Sequence, residues 1–308
     1  MEQHNIINKN HICVCICTYK RPELLERLLL ALQNQETKEL FNYSIVVVDN
    51  DQEQSAQVVV ENIQKNNTIK YLHEPQKNIA IARNKAVTHA HGEFIALIDD
   101  DEFPKTDWLL NLYQTLEKYK VDGILGPVKP YFDKTPPRWL VKSKLCERPT
   151  HETGKVLDWD DTRTGNVLIR RKIFNEKENL FDPDFAIQGE DKDFFRRMTA
   201  RGYVFIWCNE APVYETVPPD RWKKTYFLKR AFIQGNASFK YYGSSMNLKL
   251  KLKIIIKSIL ASFVYTFMLP VLSLFWNQYL IKYLAKDIYH LSLLLTVFGL
   301  INIKERNI

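Results

Sequence analysis

The first hundred residues alternate two hydrophobic periods, and that alternation leaves few folds open. HICVCICTY, YSIVVVDN, IKYLHE and EFIALID are short runs rich in β-branched residues. Between them, PELLERLLLALQNQ, SAQVVVENIQKNN and IAIARNKAVTHAH repeat apolar residues at helical spacing. Strand and helix taking turns predict βαβ units, hence an α/β fold with a Rossmann-like, mostly parallel central sheet flanked by helices. GNVLIRR and VFIWCNEAPVYETV resume as strands. FDPDFAIQGEDKDFFRRMTARGY, between them, reads as a loop entering a helix near Glu190. Residues 133–155 show no clear period and read as a long loop able to close over a ligand.

Open sheets of this kind collect ligands at the carboxyl ends of their strands. Here those ends are Thr18-Tyr19, Asp49-Asn50-Asp51 and Asp99-Asp100-Asp101. In FIALIDDDEFP an apolar strand runs straight into four acidic residues, whose charges repel one another. Residues two apart in an extended strand share a side. Asp99 and Asp101 are therefore expected to converge while Asp100 points elsewhere. Two hard oxygen ligands there suit Mg²⁺ or Mn²⁺, which neutralises the cluster and recruits a pyrophosphate. The competing reading is a solvated acidic turn before the helix DWLLNLYQTLEKY, although Asp107 fits the capping position better.

The net charge of +7 invites a nucleic-acid reading until it is located. Ten Lys/Arg face one acid between residues 220 and 257, more than the whole excess. That block includes RWKKTYFLKRAFIQG, an expected basic amphipathic helix, and abuts the uncharged segment 258–275. An anionic membrane surface is the partner this placement suggests, and nucleic acid is not. Segment 258–275 is barely long enough to span a bilayer, and the apolar run 288–301 is shorter. Two spans, one span with an interfacial helix, or two core helices of a soluble protein remain open. The polar start, MEQHNIINKNH, shows no secretory signal. Five cysteines without zinc-type spacing read as buried thiols of a reducing compartment. Trp139, Trp159 and Trp222 are candidates for stacking on a ligand's apolar face, with ordinary packing as the alternative.

CTYKRP after the first strand, VVVDND, ARN, the DDD cluster with EFPKTDWL, and GEDKDFFRR stand in the order found in family 2 glycosyltransferases. Between residues 13 and 235 the chain resembles that family, and within it the bacterial exopolysaccharide glucosyltransferases of the succinoglycan type. The resemblance implies the GT-A (nucleotide-diphospho-sugar transferase) fold and an inverting, non-processive transferase. It also implies a nucleotide-sugar donor, commonly a UDP-sugar, and a divalent metal. By the same resemblance Thr18, Tyr19 and Arg21 form the loop around the base and Asp49 accepts a hydrogen bond from it. Arg83, Asn84, Asp99 and Asp100 serve the donor, and Asp101 with Asp99 binds the metal. Asp191, beside Glu190, is the catalytic base. Glu215 stands where many relatives carry a histidine, and its metal role is doubtful. The processive Gln-x-x-Arg-Trp motif is broken by Pro218. The expected division is a catalytic domain over 11–242 and a basic, apolar, membrane-associated region over 243–308. The expected place is the cytoplasmic face of a membrane, acting on a lipid-linked or glycan acceptor. A sugar-nucleotide pyrophosphorylase is disfavoured because CTYKRP lacks the glycines of a triphosphate loop. A non-catalytic scaffold retaining the fold is the third reading.

Overall fold

Alternate residues of β1 (Asn10–Thr18) part to opposite faces of a sheet. Ile12, Val14 and Ile16 enter one buried cluster, and Cys13, Cys15 and Cys17 enter the other. The computed structural model describes residues 10–64, 69–185, 189–240 and 248–301. The chain continues through α1 (Pro22–Leu32), β2 (Phe41–Asp49), α2 (Gln57–Ile63), β3 (Ile69–His73), α3 (Ile79–His89) and β4 (Phe94–Ile98). Next come β5 (Glu102–Pro104), α4 (Trp108–Tyr119), β6 (Gly123–Leu125), β7 (Val128–Tyr131), α5 (Arg138–Ser143) and β8 (Asn166–Arg170). The remaining elements are α6 (Glu190–Ala200), β9 (Phe205–Trp207), β10 (Val213–Thr216), α7 (Lys224–Lys240), α8 (Leu248–Phe275) and α9 (Asn277–Val297).

The main sheet has the order β3-β2-β1-β4-β8-β6-β9. Its first four strands are parallel, as βαβ units demand, while β8 runs antiparallel between β4 and β6. Helices α1, α2 and α4 bury leucines, valines and isoleucines on one face. Helices α3 and α6 cover the other with small alanines and with Phe194 and Phe195. The cysteine row lies under the α3 face, all thiols unpaired, and burial pushes Cys17 up to about 12. Such a thiol is inert packing. α4 begins after Asp107, but the Asp107 side chain makes no capping hydrogen bond.

Contacts divide the chain into two units, residues 1–129, 148–186 and 190–216 against 130–147, 187–189 and 217–308. The second unit takes in α7, which packs along α9. A Cβ added to Gly235 in α7 would strike the Tyr289 carbonyl, so only glycine permits this approach. Asn236 Nδ2 donates to Thr296 Oγ1 at 2.9 Å and Tyr289 donates to Ser238 Oγ at 2.9 Å across the same seam. The expected loop over 133–155 contains α5, whose Leu140 packs with Phe227 and Ile281. Trp139 and Trp222 lie against that cluster and Trp159 against the α3 side of the sheet, so all three are packing residues here. Pro270 does not end α8. Among the described residues one helix, α8, is long and apolar enough to cross a membrane. α9 is not, which leaves one candidate span of the two that the sequence allowed.

Candidate active site

β4 stops at Ile98, and the acidic residues after it are in a turn. The strand period therefore does not govern Asp99 to Asp101, and their expected grouping is corrected. Asp100 and Asp101 share one guanidinium: Arg21 Nη1 lies 3.0 Å from Asp100 Oδ1 and 3.1 Å from Asp101 Oδ2. Asp99 turns instead to Arg83, whose Nη2 is 2.9 Å from its Oδ1. Arg83 also pairs with Glu190 at the start of α6. Two arginines thus neutralise part of the acidic turn.

Lys20, at φ 54°, turns the chain sharply after β1 and brings Arg21 back over the strand ends. Thr18 Oγ1 donates to Asp100 Oδ2 at 2.8 Å, so it ties β1 to the acidic turn. Tyr19 stays exposed, with the ammonium groups of Lys77 and Lys20 at 4.8 and 5.7 Å from its ring centre. Asp49 is fully buried and caps its own loop. Its Oδ1 accepts from the Asp51 amide at 3.0 Å, and its Oδ2 from the Ala56 amide at 2.8 Å and from Tyr71 at 3.1 Å. The carboxylate expected to accept from a base already holds three protein donors. Its neighbour Asp51, also buried, keeps Oδ2 without a hydrogen-bond partner.

Adjacent residues of a helix point about 100° apart, and Arg83 and Asn84 take different partners here. Asn84 turns away, donating to the Phe181 carbonyl at 2.7 Å and accepting from the Phe181 amide at 2.8 Å. It anchors the segment leading to α6 rather than reaching the strand ends. On α6, Glu190 is buried under Arg83 while Asp191 is partly exposed, its Oδ1 accepting from the Lys192 amide at 2.8 Å. Burial lifts Glu190 to about 7, with Arg83 pulling down and Asp191 pushing up. Burial likewise raises Asp100 to about 6 against the pull of Arg21.

A second group of charges adjoins the first. β5 pairs antiparallel with β10, setting Glu102 opposite Glu215. Like charges across a strand pair are unfavourable, and Arg148 pairs with Glu215. Glu215, a doubtful ligand from the sequence, therefore has a guanidinium as its partner. Glu102 is buried, its Oε1 has no hydrogen-bond partner, and burial followed by the Asp99 charge raises its carboxyl far above the usual range. Beside it Gly165 leaves a hollow: a Cβ there would stand 2.6 Å from Glu102 Oε1 and 3.1 Å from Asp99 Oδ2. Arg163 is lowered to about 10 by burial and then by Arg148, and its Nε is unpartnered. Among the described residues no three His, Cys, Asp or Glu side chains form a metal cluster. Glu102, Arg148, Arg163 and Gly165 escaped sequence reasoning. Only Glu102 left a trace there, as a fourth acid with no helix to cap.

A family model described as glycosyl transferase family 2 matches residues 13–177. The chain is 36% identical over 231 residues to the succinoglycan biosynthesis protein ExoM of Rhizobium meliloti (strain 1021), covering 73% of each. S. aureus TarS 1-349, in a crystal structure with UDP, superposes with a TM-score of 0.52 at 19% identity over 94% of this chain and 92% of that one. The structure of GalNAc-T7 with UDP, GalNAc and Mn²⁺ gives a TM-score of 0.55 at 14% identity, over 80% of this chain and 54% of that one. The last two likenesses are of fold. The matched family model spans more than half of the sequence, and with the likeness to ExoM it shows that the chain belongs to family 2 of the glycosyltransferases, built on the GT-A fold.

Proposed function

We propose that this glycosyltransferase moves one sugar per acceptor from a UDP-sugar to a hydroxyl of a lipid-linked or glycan acceptor, in exopolysaccharide assembly at the cytoplasmic face of a membrane. The observation that carries the reading is the placement of Arg83. This one guanidinium joins the strand-end Asp99 to Glu190, and Asp191 follows Glu190 in the first turn of α6. A proton acceptor is thereby held beside the rim where a donor binds in sheets of this class.

The step is a direct displacement. The acceptor hydroxyl gives its proton to the Asp191 carboxylate, the acceptor oxygen bonds to the anomeric carbon, and the bond to the diphosphate oxygen breaks with its electron pair leaving on UDP. Attack opposite the leaving group inverts the anomeric centre. A placed base contributes about 10²–10⁴-fold. Arg21 and Arg83 are held at the strand ends by the acidic turn, and fixed donors of this kind stabilise charge developing on phosphate oxygens. Tyr19 supplies an exposed ring for the nucleobase.

A divalent cation fits the residues present. The donors are all hard carboxylate oxygens, Glu102 Oε1 is orphaned, and Gly165 keeps the space beside Asp99 clear. Asp99 and Glu102, whose carboxylates both border Gly165, would hold it, and Asp101 would join them only on leaving Arg21. When bound, it supplies positive charge against the diphosphate. Glu215, occupied by Arg148, is left out of that set.

The test is a donor-hydrolysis and transfer screen over nucleotide sugars, with and without Mn²⁺. Asp191→Asn is expected to lose about 10²–10⁴-fold in turnover while UDP affinity stays within about twofold. Turnover near wild type removes Asp191 from the role of base, and pyrophosphate release in place of UDP overturns the reaction class.

A further inference from the structure

α8 is built inside out. Ser258, Ser262 and Thr266 recur every fourth residue and face α9, where Ser262 and Thr266 both donate to Asp287, Thr266 at 3.0 Å, and Ser258 meets His290 at 3.2 Å. Away from α9, Ile256, Ile259, Phe263, Phe267 and Leu274 are at least half exposed, and only 11% of the apolar window is buried. A helix in water turns its polar face outward. Here the polar face is the protein's own seam and the outer face is hydrocarbon.

What α8 packs against decides how a bilayer meets it. Its partner α9 carries Lys282, Lys286 and Asp287, and α9 is in turn locked to α7 through Gly235, Asn236 and Tyr289. α7 carries Lys224, Lys229 and Arg230. Were α8 to cross a membrane in this packing, it would draw charged neighbours to hydrocarbon depth, where they are strongly disfavoured. Lying flat, α8 buries its outer face among acyl chains while α9 and α7 stay in water. Lys249, Lys251, Lys253 and Lys257 crowd its first ten residues and complement anionic headgroups.

We propose that α8 is an in-plane seat on an anionic bilayer surface and does not span it, with α9 as the polar backing that keeps its apolar face outward. This rests on the membrane association in the function proposed above and specifies its geometry.

The experiment uses the full chain on vesicles of phosphatidylcholine with and without phosphatidylglycerol, and reads binding by flotation. Binding is expected to be at least tenfold stronger with phosphatidylglycerol, and Phe263→Glu with Phe267→Glu is expected to lower it at least tenfold while UDP affinity stays within about twofold. In a background with Cys17 and Cys146 replaced by serine, Lys249→Cys and Trp276→Cys mark the two ends of α8. Both thiols are expected to react with an impermeant maleimide from the side of addition. If the Trp276→Cys thiol reacts only after the vesicles are opened, α8 spans and the proposal is overturned. Unchanged flotation of the double glutamate variant, or its loss of a dimer in place of vesicle binding, gives the apolar face to another occupant and overturns it equally. Neither readout needs sugar transfer, so a chain that sits flat but transfers nothing counts against the enzymatic reading alone.

Discussion

Arg83 has no carboxylate to itself and no solvent to fall back on. It is buried between Asp99 and Glu190, and truncating one partner of such a group leaves the others uncompensated. Arg83→Ala is expected to cost about 3–5 kcal/mol in chemical denaturation, a loss that also removes donor binding. Glu190 tells the opposite story for acid. Its native pKa of about 7 lies above its ordinary 4.5, so the folded protein binds this proton more tightly than the unfolded one. Stability contributed by that proton is complete below about pH 4.5 and is lost as pH rises through 7. Glu190→Gln is therefore expected to flatten the fall in denaturation midpoint between pH 4.5 and 7, and an unaltered profile rejects the assignment. Gly165 offers a third check. Gly165→Ala pushes a methyl against Glu102 and Asp99, and titration calorimetry is expected to show UDP affinity in Mn²⁺ down at least tenfold, with far less change without the metal.

At the scale of elements, the chain announces its architecture better than its chemistry. The alternating periods disclose β1 to β4 and α1 to α3 because each strand is buried and each helix is amphipathic, and both leave period in the apolar residues. The antiparallel insertion of β8 between β4 and β6 leaves no such mark, since GNVLIRR has the same pattern in either direction. Asp99 to Asp101 were misplaced for a related reason. The strand rule was carried three residues beyond Ile98, into a turn where successive side chains take other directions. Arg148 could not have been foreseen, because a loop arginine and Glu215 are 67 residues apart and meet only through the fold. α7 was read correctly as a basic helix, yet its attachment to α9 depends on the missing side chain of Gly235. Gly235→Leu is expected to part those two helices, seen as a lowered melting temperature and faster proteolysis within 217–301, with the strand-end pairing of Arg21 and Arg83 left in place.

For the whole molecule, composition located the basic excess and the apolar helix correctly, but it left their arrangement undecided. Only packing shows that the hydroxyls of α8 face a buried aspartate and not a bilayer. The family was likewise legible, since five short motifs in order suffice to mark it, whereas the pairing of Asp99, Asp100, Asp101, Glu190 and Glu215 with arginines was not. One further consequence lies in the consecutive residues Arg83 and Asn84. The first reaches the mouth of β4 and the start of α6, and the second grips Phe181 on the approach to that helix. Helix α3 thus works as a ruler. In the function proposed above, its rigidity sets the reach from departing phosphate to base, so a single inserted residue is expected to throttle the reaction even where nucleotide still docks.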